Sequence, residues 1–335
     1  MGKKIIGLTL GDSAGVGPEL IAKVIAEGFL DGLCYPVIIG DEQVFKRGCQ
    51  AAGVNVQYQK IEDIDQIDGT NKIPVLDICK LNLEEVPYGQ VSAESGRQCI
   101  ETMITCVRLC KEGKLNGFVF APMHKTALHL AGNKHESEHH FLADLFGVQG
   151  PYGEINVTGG VMTTRTTSHI PLSEVSQSLT IEKILGVTRL LNTTLKDSGI
   201  QSPRIGVAAC NPHCGDNGIC GREEIEIICP AVEKAVEEGI CASGPLSSDI
   251  VFIDAFGGKF DGVVTMYHDQ GQIAMKLKGF DGGITISGGL PYPVVTCAQG
   301  TAFNIAGTGA ANTKSIKNAI SMCVKMADER GGTKI

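Results

Sequence analysis

Short apolar runs alternate with longer amphipathic stretches along this chain. Strand-like apolar runs occur at 5–10, 36–40, 73–78 and 117–121, and later at 160–167, 204–210 and 262–267. Apolar positions with helical spacing occur at 18–29, 41–52 and 92–112, after the cap candidate Thr180, at 222–238 and at 313–330. Alternation of this kind predicts an α/β fold with a mostly parallel sheet.

The length of 335 residues allows two domains with cores of their own. The sequence contains no Pro/Ser-rich linker and no internal repeat. We therefore expect two closely joined lobes with the active site in the cleft between them.

Composition and charge narrow the classes of partner. The chain is 43% hydrophobic and 20% charged, with a net charge of −8 and no basic block. Nucleic-acid binding is not expected, because it depends on clustered Lys and Arg. No apolar segment approaches the roughly 20 residues of a membrane span, and the start of the chain does not resemble a signal peptide. We expect a cytoplasmic protein that acts on a small molecule, without nucleic-acid or membrane partners.

The 13 cysteines do not suggest a disulfide framework, because their number is odd and no CxxC occurs. Cys99, Met103, Cys106 and Cys110 fall on one helical face, which predicts buried apolar packing in a reducing compartment. The group Cys210, Cys214 and Cys220 matches no standard zinc framework, so packing is favoured over metal ligation there.

Three histidines stand just after predicted strands, namely His169 in TTSHIPL, His213 in NPHCGDNG and His268 in MYHDQG. In open α/β sheets, ligands gather at the carboxyl ends of strands, where three imidazoles would form a metal site with open positions. Asp249 and Asp269 are candidates to orient these rings or to bind the metal as well. A hydrogen-bonded polar cleft without metal is the alternative, and the spacing alone does not decide between them.

The glycine-rich stretch GDSAGVGPEL, residues 11–20, follows the first predicted strand. It lacks the Lys-Ser/Thr of a P-loop and the third glycine of a dinucleotide fingerprint. Pro18 and Glu19 instead suit the first turn of a helix. A structural strand-to-helix turn is favoured over a phosphate site.

The segment QGTAFNIAGTGAAN, residues 299–312, closely resembles the adenosine-binding loop of the isocitrate and isopropylmalate dehydrogenases. The resemblance implies a cofactor-binding loop made by Gly300, Thr301, Ala302, Ile305, Ala306, Gly307, Gly309 and Asn312. NAD is the expected cofactor, because no Arg follows the loop to hold a 2′-phosphate, and NADP is the alternative.

Within that superfamily the chain is most similar to the 4-hydroxythreonine-4-phosphate dehydrogenase family, as a divergent member. The matching motifs cover nearly the whole chain: GDSAGVGPEL, APMHK at 121–125, HIPL at 169–172, NPHCGDNGICGREE at 211–224, MYHDQG at 266–271 and GLPYPV at 289–294. The resemblance implies a two-lobed α/β/α dehydrogenase of the isocitrate/isopropylmalate type. Residues 1–125 with 286–335 would form a nucleotide-side lobe, and residues 126–285 a metal and dimerisation lobe.

The family resemblance also implies roles for individual residues. His169, His213 and His268 would hold a divalent metal, with zinc favoured and manganese, magnesium or cobalt as alternatives. These ligands would be drawn from both subunits of a homodimer. The implied catalytic residues are Lys125, Asp249, Asp269 and Lys276.

The chain departs from the family pattern where the substrate is expected to bind. Glu138 and His139 replace a His and a Thr, Thr285 replaces an Asn, Val294 replaces an Arg, and Gln299 replaces a His of the nucleotide loop. The candidate substrate-binding residues are Glu138, His139 and Thr285 at these positions, together with Lys276, which matches a lysine of the family's active-site region. A carboxylate repels a phosphate dianion, and valine offers no charge-assisted bond. 4-Hydroxythreonine 4-phosphate is accordingly predicted not to be the preferred substrate.

The resulting hypothesis is a metal-dependent NAD(P) oxidoreductase that oxidises a secondary hydroxyl of a small acidic hydroxy acid, with decarboxylation as a further step if the product is a β-keto acid. A four-carbon sugar-acid phosphate or an unphosphorylated hydroxy acid is favoured as substrate. Two enzymatic alternatives stay open: a true 4-hydroxythreonine-4-phosphate dehydrogenase of vitamin B6 synthesis, and a metal-dependent hydrolase or lyase that has lost the nucleotide function. A catalytically silent binding protein is the third alternative.

Overall fold

Strands and helices alternate through most of the chain in a computed structural model, which describes residues 3–67, 70, 72–279 and 281–331. The contacts divide the chain into two units, Met1–Val148 with Leu290–Ile335, and Gln149–Gly289. The first unit is therefore made from two separated segments of the chain, and the second from one.

The first unit contains a parallel sheet in the order β3-β4-β2-β1-β5-β12. Its strands are β1 Ile5–Thr9, β2 Tyr35–Gly40, β3 Tyr58–Ile61, β4 Ile73–Asp77, β5 Gly117–Phe120 and β12 Val294–Cys297. Its helices are α1 Gly17–Ala26, α2 Glu42–Ala52, α3 Ala93–Lys111, α4 Lys125–Leu130, α5 Glu138–Phe146 and α11 Lys314–Glu329.

The second unit has strand order β11-β6-β7-β10-β8-β9, in which β6 runs antiparallel to both neighbours. Its strands are β6 Gly153–Thr158, β7 Val161–Arg165, β8 Arg204–Ala208, β9 Cys241–Leu246, β10 Gly262–Thr265 and β11 Ile284–Gly288. Its helices are α6 Val175–Ser178, α7 Ile181–Asp197, α8 Cys229–Glu237, α9 Ser248–Phe256 and α10 His268–Gly279, and a π-helical turn, Glu224–Ile228, precedes α8.

Local sequence signals explain several boundaries. Pro18 occupies the first turn of α1, where its missing N–H costs no hydrogen bond. Asp41 caps α2 through Gln43 N, and Gly53 ends it in the left-handed conformation. Thr180 caps α7 through the backbone N–H of Lys183, as predicted.

The α/β fold class predicted from the sequence is confirmed. The predicted cysteine-rich face of α3 is buried, with Cys99, Met103, Cys106 and Cys110 at most 1% exposed. Burial raises the pKa of these three thiols, which therefore stay protonated. The predicted helix over 222–238 contains the π-helical turn before α8 begins at Cys229.

The first boundary between the observed units follows Val148, whereas the sequence placed the lobe boundary after residue 125. The difference arises because α4 and α5 both pack against α3 of the first unit. The second observed boundary, between Gly289 and Leu290, lies close to the predicted one at 285–286. Among the described residues, no helix combines the length and the hydrophobicity needed to cross a membrane.

Helices α3 and α4 approach so closely that only glycine fits at position 96. A Cβ atom on Gly96 would lie 2.0 Å from the carbonyl oxygen of Ala127, which is a backbone atom and cannot rotate away. At Gly186, in the middle of α7, a Cβ atom would meet nothing within 4 Å. The two helical glycines therefore provide a matched pair.

We predict that Gly96→Ala lowers the free energy of unfolding by about 1–3 kcal/mol, because the helices must separate to admit the methyl group. Gly186→Ala is expected to raise it by roughly 0.5–1 kcal/mol, because alanine has the higher helix propensity and meets no neighbour there. Urea unfolding of both variants followed by circular dichroism measures the difference. Equal midpoints for the two variants would contradict the close approach of α3 and α4.

Candidate active site

The three candidate metal ligands follow three neighbouring strands of the second unit. His169 comes after β7, His268 after β10 and His213 after β8, and these strands are adjacent and parallel in the order β7-β10-β8. Parallel strands present their carboxyl ends at one edge, where α/β proteins bind ligands. The fold thus brings the three histidines to the same edge of the sheet.

His169 and His268 lie side by side. Their ring centroids are 5.6 Å apart with an interplanar angle of 43°. Two imidazoles that share one tetrahedral zinc ion at bond lengths of about 2.1 Å hold their ring centres roughly 5 Å apart. This separation therefore fits ligation of one metal ion by both rings.

Asp269 holds the His268 ring through its Nδ1 atom, at 2.7 Å from Asp269 Oδ1. A carboxylate on Nδ1 fixes the ring orientation and leaves Nε2 as the nitrogen able to bind a metal. This is the contact that the predicted orienting role of Asp269 requires.

His213 lies in a cleft of its own with Asp249, Ser247 and Gln270, and Tyr267 lines both this cleft and that of His169 and His268. The Ser247 hydroxyl donates to Asp249 Oδ1 at 2.6 Å, and this hydrogen bond lowers the pKa of Asp249, with a smaller contribution in the same direction from His213. Among the described residues of one chain, no three His, Cys, Asp or Glu side chains form a group that could hold a metal ion.

Two of the three histidines have left-handed backbone conformations. His169 has φ of 54°, and His213 begins five consecutive left-handed residues that continue through Cys214, Gly215, Asp216 and Asn217, with φ between 44° and 77°. Such a conformation costs a non-glycine residue about 1–3 kcal/mol and persists only where neighbouring structure enforces it. Strain of this kind accumulates at functional sites.

Glu224 is the residue that holds the left-handed turn. Its carboxylate is 2% exposed and accepts hydrogen bonds from the backbone N–H groups of Cys210 and Asn211, at 2.8 Å and 2.7 Å. It also accepts from Asn211 Nδ2 at 3.0 Å. Gly215 passes so near that a Cβ atom there would lie 2.7 Å from Glu224 Oε2.

Glu224 ends the motif NPHCGDNGICGREE and was not among the predicted site residues. Its carboxylate accepts from backbone N–H groups that no strand or helix satisfies. A charged acceptor makes stronger hydrogen bonds than a neutral one. Glu224 also begins the π-helical turn Glu224–Ile228. Irregular turns of this type are frequent at functional sites.

The predicted nucleotide loop in the first unit is held by helix α1. Glu19, which is 1% exposed, accepts hydrogen bonds from the backbone N–H groups of Gly309 and Ala311 at 3.2 Å and 3.0 Å. Lys23, one turn later, donates to the carbonyl oxygens of the same two residues at 2.5 Å and 2.8 Å. The backbone N–H and C=O groups of Gly309 and Ala311 are thus all hydrogen-bonded to side chains of one helix.

Glycines are required where this loop meets its neighbours. Gly309 has φ of 71°, and a Cβ atom there would lie 2.5 Å from the carbonyl oxygen of Ala51. Gly307 has φ of 78° and lies against the ring of Tyr88. The remaining predicted loop residues surround them: Gly300, Thr301, Ala302, Ile305, Ala306 and Asn312.

The stretch GDSAGVGPEL forms the predicted strand-to-helix turn between β1 and α1. A Cβ atom on Gly17 would lie 2.1 Å from the carbonyl oxygen of Leu10, so the turn needs glycine. Asp12 is fully buried there, and burial raises the pKa of its carboxyl group. The turn contacts the predicted nucleotide loop through Val16, whose N–H donates to the carbonyl oxygen of Thr301 at 3.0 Å.

The other predicted site residues are divided between the two units. Lys125, Glu138 and His139 belong to the first unit, where Lys125 begins α4 and Glu138 begins α5. Lys276 is exposed on α10 and Thr285 is buried on β11, both in the second unit.

Val294 is completely buried in β12, where it pairs with Phe118 of β5. An apolar side chain in this position provides no cation for a substrate.

We predict that Glu19→Gln raises the Kd for NAD about tenfold, because the neutral amide loses charge-assisted bonds to Gly309 and Ala311 and turns an N–H group toward one of these donors. Glu27→Gln, at the end of the same helix, is the matched control, because Glu27 pairs with Lys317 and does not contact the loop. Isothermal titration with NAD measures both variants. The same Kd for Glu19→Gln and Glu27→Gln would show that the hydrogen bonds to Glu19 do not determine the conformation of the loop.

We predict that Glu224→Gln weakens binding at the predicted metal site, titrated with zinc, roughly 10–100-fold, because the turn that carries His213 loses its anionic anchor. Glu226→Gln, which removes an exposed carboxylate paired with Arg222, is the control and should leave zinc affinity unchanged. Competition with a chromogenic chelator measures both dissociation constants. If Glu224→Gln bound zinc as tightly as the control, the anchoring role would be wrong.

Comparison with known proteins gives the family. The family model described as pyridoxal phosphate biosynthetic protein PdxA matches residues 32–323. A Pseudomonas aeruginosa protein named for 4-hydroxythreonine-4-phosphate dehydrogenase is 43% identical, over 96% of each chain. An Oceanobacillus iheyensis protein named for D-threonate 4-phosphate dehydrogenase is 36% identical, over 97% of this chain and 98% of the relative.

The solved structure of 4-hydroxythreonine-4-phosphate dehydrogenase from Klebsiella pneumoniae superimposes with a TM-score of 0.86 at 34% identity, covering 97% of this chain and 98% of that one. The fold is thus that of the dehydrogenases which the sequence resembled. All three relatives are named as dehydrogenases, which supports an oxidoreductase activity for this chain. The chain belongs to the family described by the pyridoxal phosphate biosynthetic protein PdxA.

Proposed function

We propose that this protein is a metal-dependent NAD(P) dehydrogenase that oxidises the secondary hydroxyl of a small acidic hydroxy acid. The observation that carries the proposal is the His169–His268 pair, with Asp269 on His268 Nδ1, at the carboxyl ends of adjacent parallel strands. Similarity to dehydrogenases over nearly the whole chain supports the reaction class.

His169, His213 and His268 are the proposed ligands, and three imidazoles favour zinc, with manganese, cobalt or magnesium as alternatives. When bound, the metal supplies Lewis acidity that lowers the pKa of the substrate hydroxyl. Asp269 keeps the His268 ring oriented. Asp249, in the cleft of His213, is proposed to orient a ligand ring as well or to receive the hydroxyl proton. The exposed ammonium groups of Lys125 and Lys276 are proposed to anchor the acidic substrate or to relay that proton.

The loop from Gly300 to Asn312 is proposed to hold the adenosine part of the cofactor. Its shape is fixed by Glu19 and Lys23, which occupy the polar groups of Gly309 and Ala311. NAD is favoured over NADP, because no Arg follows the loop. Hydride transfer is then the cofactor's chemistry, and the protein contributes orientation. Decarboxylation follows if the oxidised product is a β-keto acid.

A second copy of the chain is proposed to complete the site. Nine of the twelve exposed large apolar side chains among the described residues belong to the second unit: Ile170, Leu172, Ile219, Ile225, Val236, Ile250, Ile253, Ile273 and Leu277. Ile170 and Leu172 line the cleft of His169 and His268 itself. Exposed apolar surface of this kind indicates a protein interface, and a homodimer would bury it.

The proposed substrate is a four-carbon sugar-acid phosphate or an unphosphorylated hydroxy acid. The relative named for D-threonate 4-phosphate supports the first class. Glu138 and the buried Val294 offer no cation to a phosphate dianion, which supports the unphosphorylated class over any phosphorylated acid, 4-hydroxythreonine 4-phosphate included. The relatives named for that compound favour it as the competing candidate, so it belongs in the same assay.

The assay is formation of NADH or NADPH by protein loaded with zinc, manganese, cobalt or magnesium. The substrates are 4-hydroxythreonine 4-phosphate, D-threonate and D-erythronate 4-phosphates, their unphosphorylated acids and a cis-dihydrodiol carboxylate. We expect turnover of D-threonate or D-erythronate 4-phosphate, or of an unphosphorylated acid, to exceed that of 4-hydroxythreonine 4-phosphate at least tenfold in kcat/KM. A chelator should abolish activity, and the added metal should restore it.

Higher kcat/KM for 4-hydroxythreonine 4-phosphate than for the other acids would overturn the substrate assignment while leaving the dehydrogenase in place. Reduction of neither cofactor with any acid and any metal would overturn the dehydrogenase and favour a hydrolase or lyase. The molar mass of the particle in solution, measured by light scattering, tests the homodimer separately.

A further inference from the structure

A polar network lies on one face of the sheet in the second unit. Thr285 of β11 is opposite Asn156 of β6, and Asn156 is opposite Thr163 of β7. Because side chains alternate along a strand, Glu154 and Asn156 share a face with Arg165 and Thr285. Helix α10 packs on this face, and its Gln272 donates to Asn156 Oδ1.

Arg165 is the centre of this network. Its side chain is only 8% exposed and pairs with Glu154. Its Nε donates to Ser168 Oγ at 2.9 Å, and its NH1 donates to Asn156 Oδ1 at 3.1 Å. One guanidinium therefore contacts both the residue before the proposed ligand His169 and the residue opposite Thr285.

Arg165 determines which end of the Asn156 amide donates and which end accepts. A guanidinium has donors and no acceptor, so the Asn156 atom that faces Arg165 must be the amide oxygen. The Asn156 Nδ2 group then points the other way and donates to Thr285 Oγ1 at 3.1 Å. Its second contact, Glu154 Oε1 at 3.3 Å, is also an acceptor.

The Thr285 hydroxyl thus accepts from Asn156 and keeps its own hydrogen. A hydroxyl has one donor, and among the described residues Thr285 donates to none. Thr285 is 6% exposed, and an unused donor at such a site costs free energy until it finds an acceptor. The donor Arg165 thus sets the orientation of the Asn156 amide, and the Asn156 amide makes the Thr285 hydroxyl an acceptor whose own hydrogen is available to another group.

We propose that Arg165 is a positioning residue which, through Asn156, fixes Thr285 as a hydrogen-bond donor to an oxyanion oxygen of the substrate. The proposal rests on the proposed function and on the prediction from the sequence that Thr285 is one of the substrate-binding residues. It explains how a chain with valine at position 294 keeps specificity for an acid: it uses a neutral donor of fixed direction. The oxyanion is a carboxylate or a phosphate, and the substrates below separate the two.

The kinetic test compares Thr285→Val with Thr285→Ser on the acids that the protein oxidises. Valine has nearly the shape of threonine but no hydroxyl, so we expect KM to rise about tenfold with kcat within twofold. Serine should restore KM to within twofold of the parent. An increase on both phosphorylated and unphosphorylated acids assigns the carboxylate, and an increase on phosphorylated acids alone assigns the phosphate.

Asn156→Asp tests the direction of the network with an almost isosteric change. The new carboxylate has no donor, so the Thr285 hydrogen turns toward it, and we expect the same rise in KM as in Thr285→Val. The double variant should show no further rise, because both changes remove one interaction. Asn82→Asp, on the surface of the first unit, is the control and should leave KM unchanged. Additive effects, or an unchanged KM in Thr285→Val, would overturn the proposal.

A measurement without catalysis tests the role of Arg165 directly. In protein labelled with 15N-asparagine, the Asn156 and Asn82 side-chain amides are assigned by their loss in the two Asp variants. We expect the Asn156 amide protons to exchange with solvent at least tenfold more slowly than those of Asn82. Arg165→Met, and the uncharged pair Arg165→Met with Glu154→Gln, should abolish this protection.

Arg204→Met is the control for the loss of an ion pair, because Arg204 pairs with Asp261 elsewhere in the same unit. It should preserve the protection of Asn156. Unprotected Asn156 in the parent protein, or protection that survives both Arg165 variants, would overturn the positioning role even if no acid is oxidised. Activity without any effect of position 285 would refute the inference alone, and the proposed function would stand.

Discussion

The hydrogen bonds from the backbone of Cys210 and Asn211 to the buried Glu224 carboxylate determine the geometry of the site more than any other interaction. The N–H groups of Cys210 and Asn211, between β8 and the left-handed turn, belong to no strand or helix, so they need another acceptor. A carboxylate provides oxygens that accept from several N–H groups, and its charge strengthens each bond. The position of His213 at the same edge of the sheet as His169 and His268 depends on this arrangement.

The same physical device occurs in the other unit, where Glu19 accepts from two backbone groups of the glycine-rich loop. In both places a buried carboxylate accepts the backbone hydrogen bonds that a strand or helix would otherwise accept. Arg165 does the opposite: it is a buried donor that orients side-chain amides and hydroxyls. Buried carboxylates thus hold the irregular backbone, and a buried guanidinium sets the direction of side-chain hydrogen bonds. This is the preorganisation that the proposed roles of the histidines and Thr285 require.

Periodicity and motif spacing were sufficient to predict the α/β fold and to identify residues that the structure places at one sheet edge. His169, His213 and His268 were recognisable because each is a polar residue just after an apolar run. Glu224 and Arg165 were not recognisable in this way. Glu224 lies in a charged sequence, GREE, that is typical of an exposed helix, and Arg165 ends an ordinary strand. Their importance comes from burial and from partners distant in sequence, such as Cys210 and Asn156, which periodicity does not contain. The division after Val148 likewise depends on contacts distant in sequence, since α4 and α5 pack against α3.

The discontinuity of the first unit has a consequence for biosynthesis. Strand β5 is paired on one side by β1, but its other neighbour, β12, is made only after the whole second unit. During translation β5 therefore remains an open sheet edge for the time needed to add more than a hundred residues, whereas Gln149–Gly289 emerges as one continuous segment. Open edges are prone to pair with other chains. The nascent protein thus passes through a stage in which one unit can be complete while the other still exposes a strand, until β12 and α11 are made and close that edge.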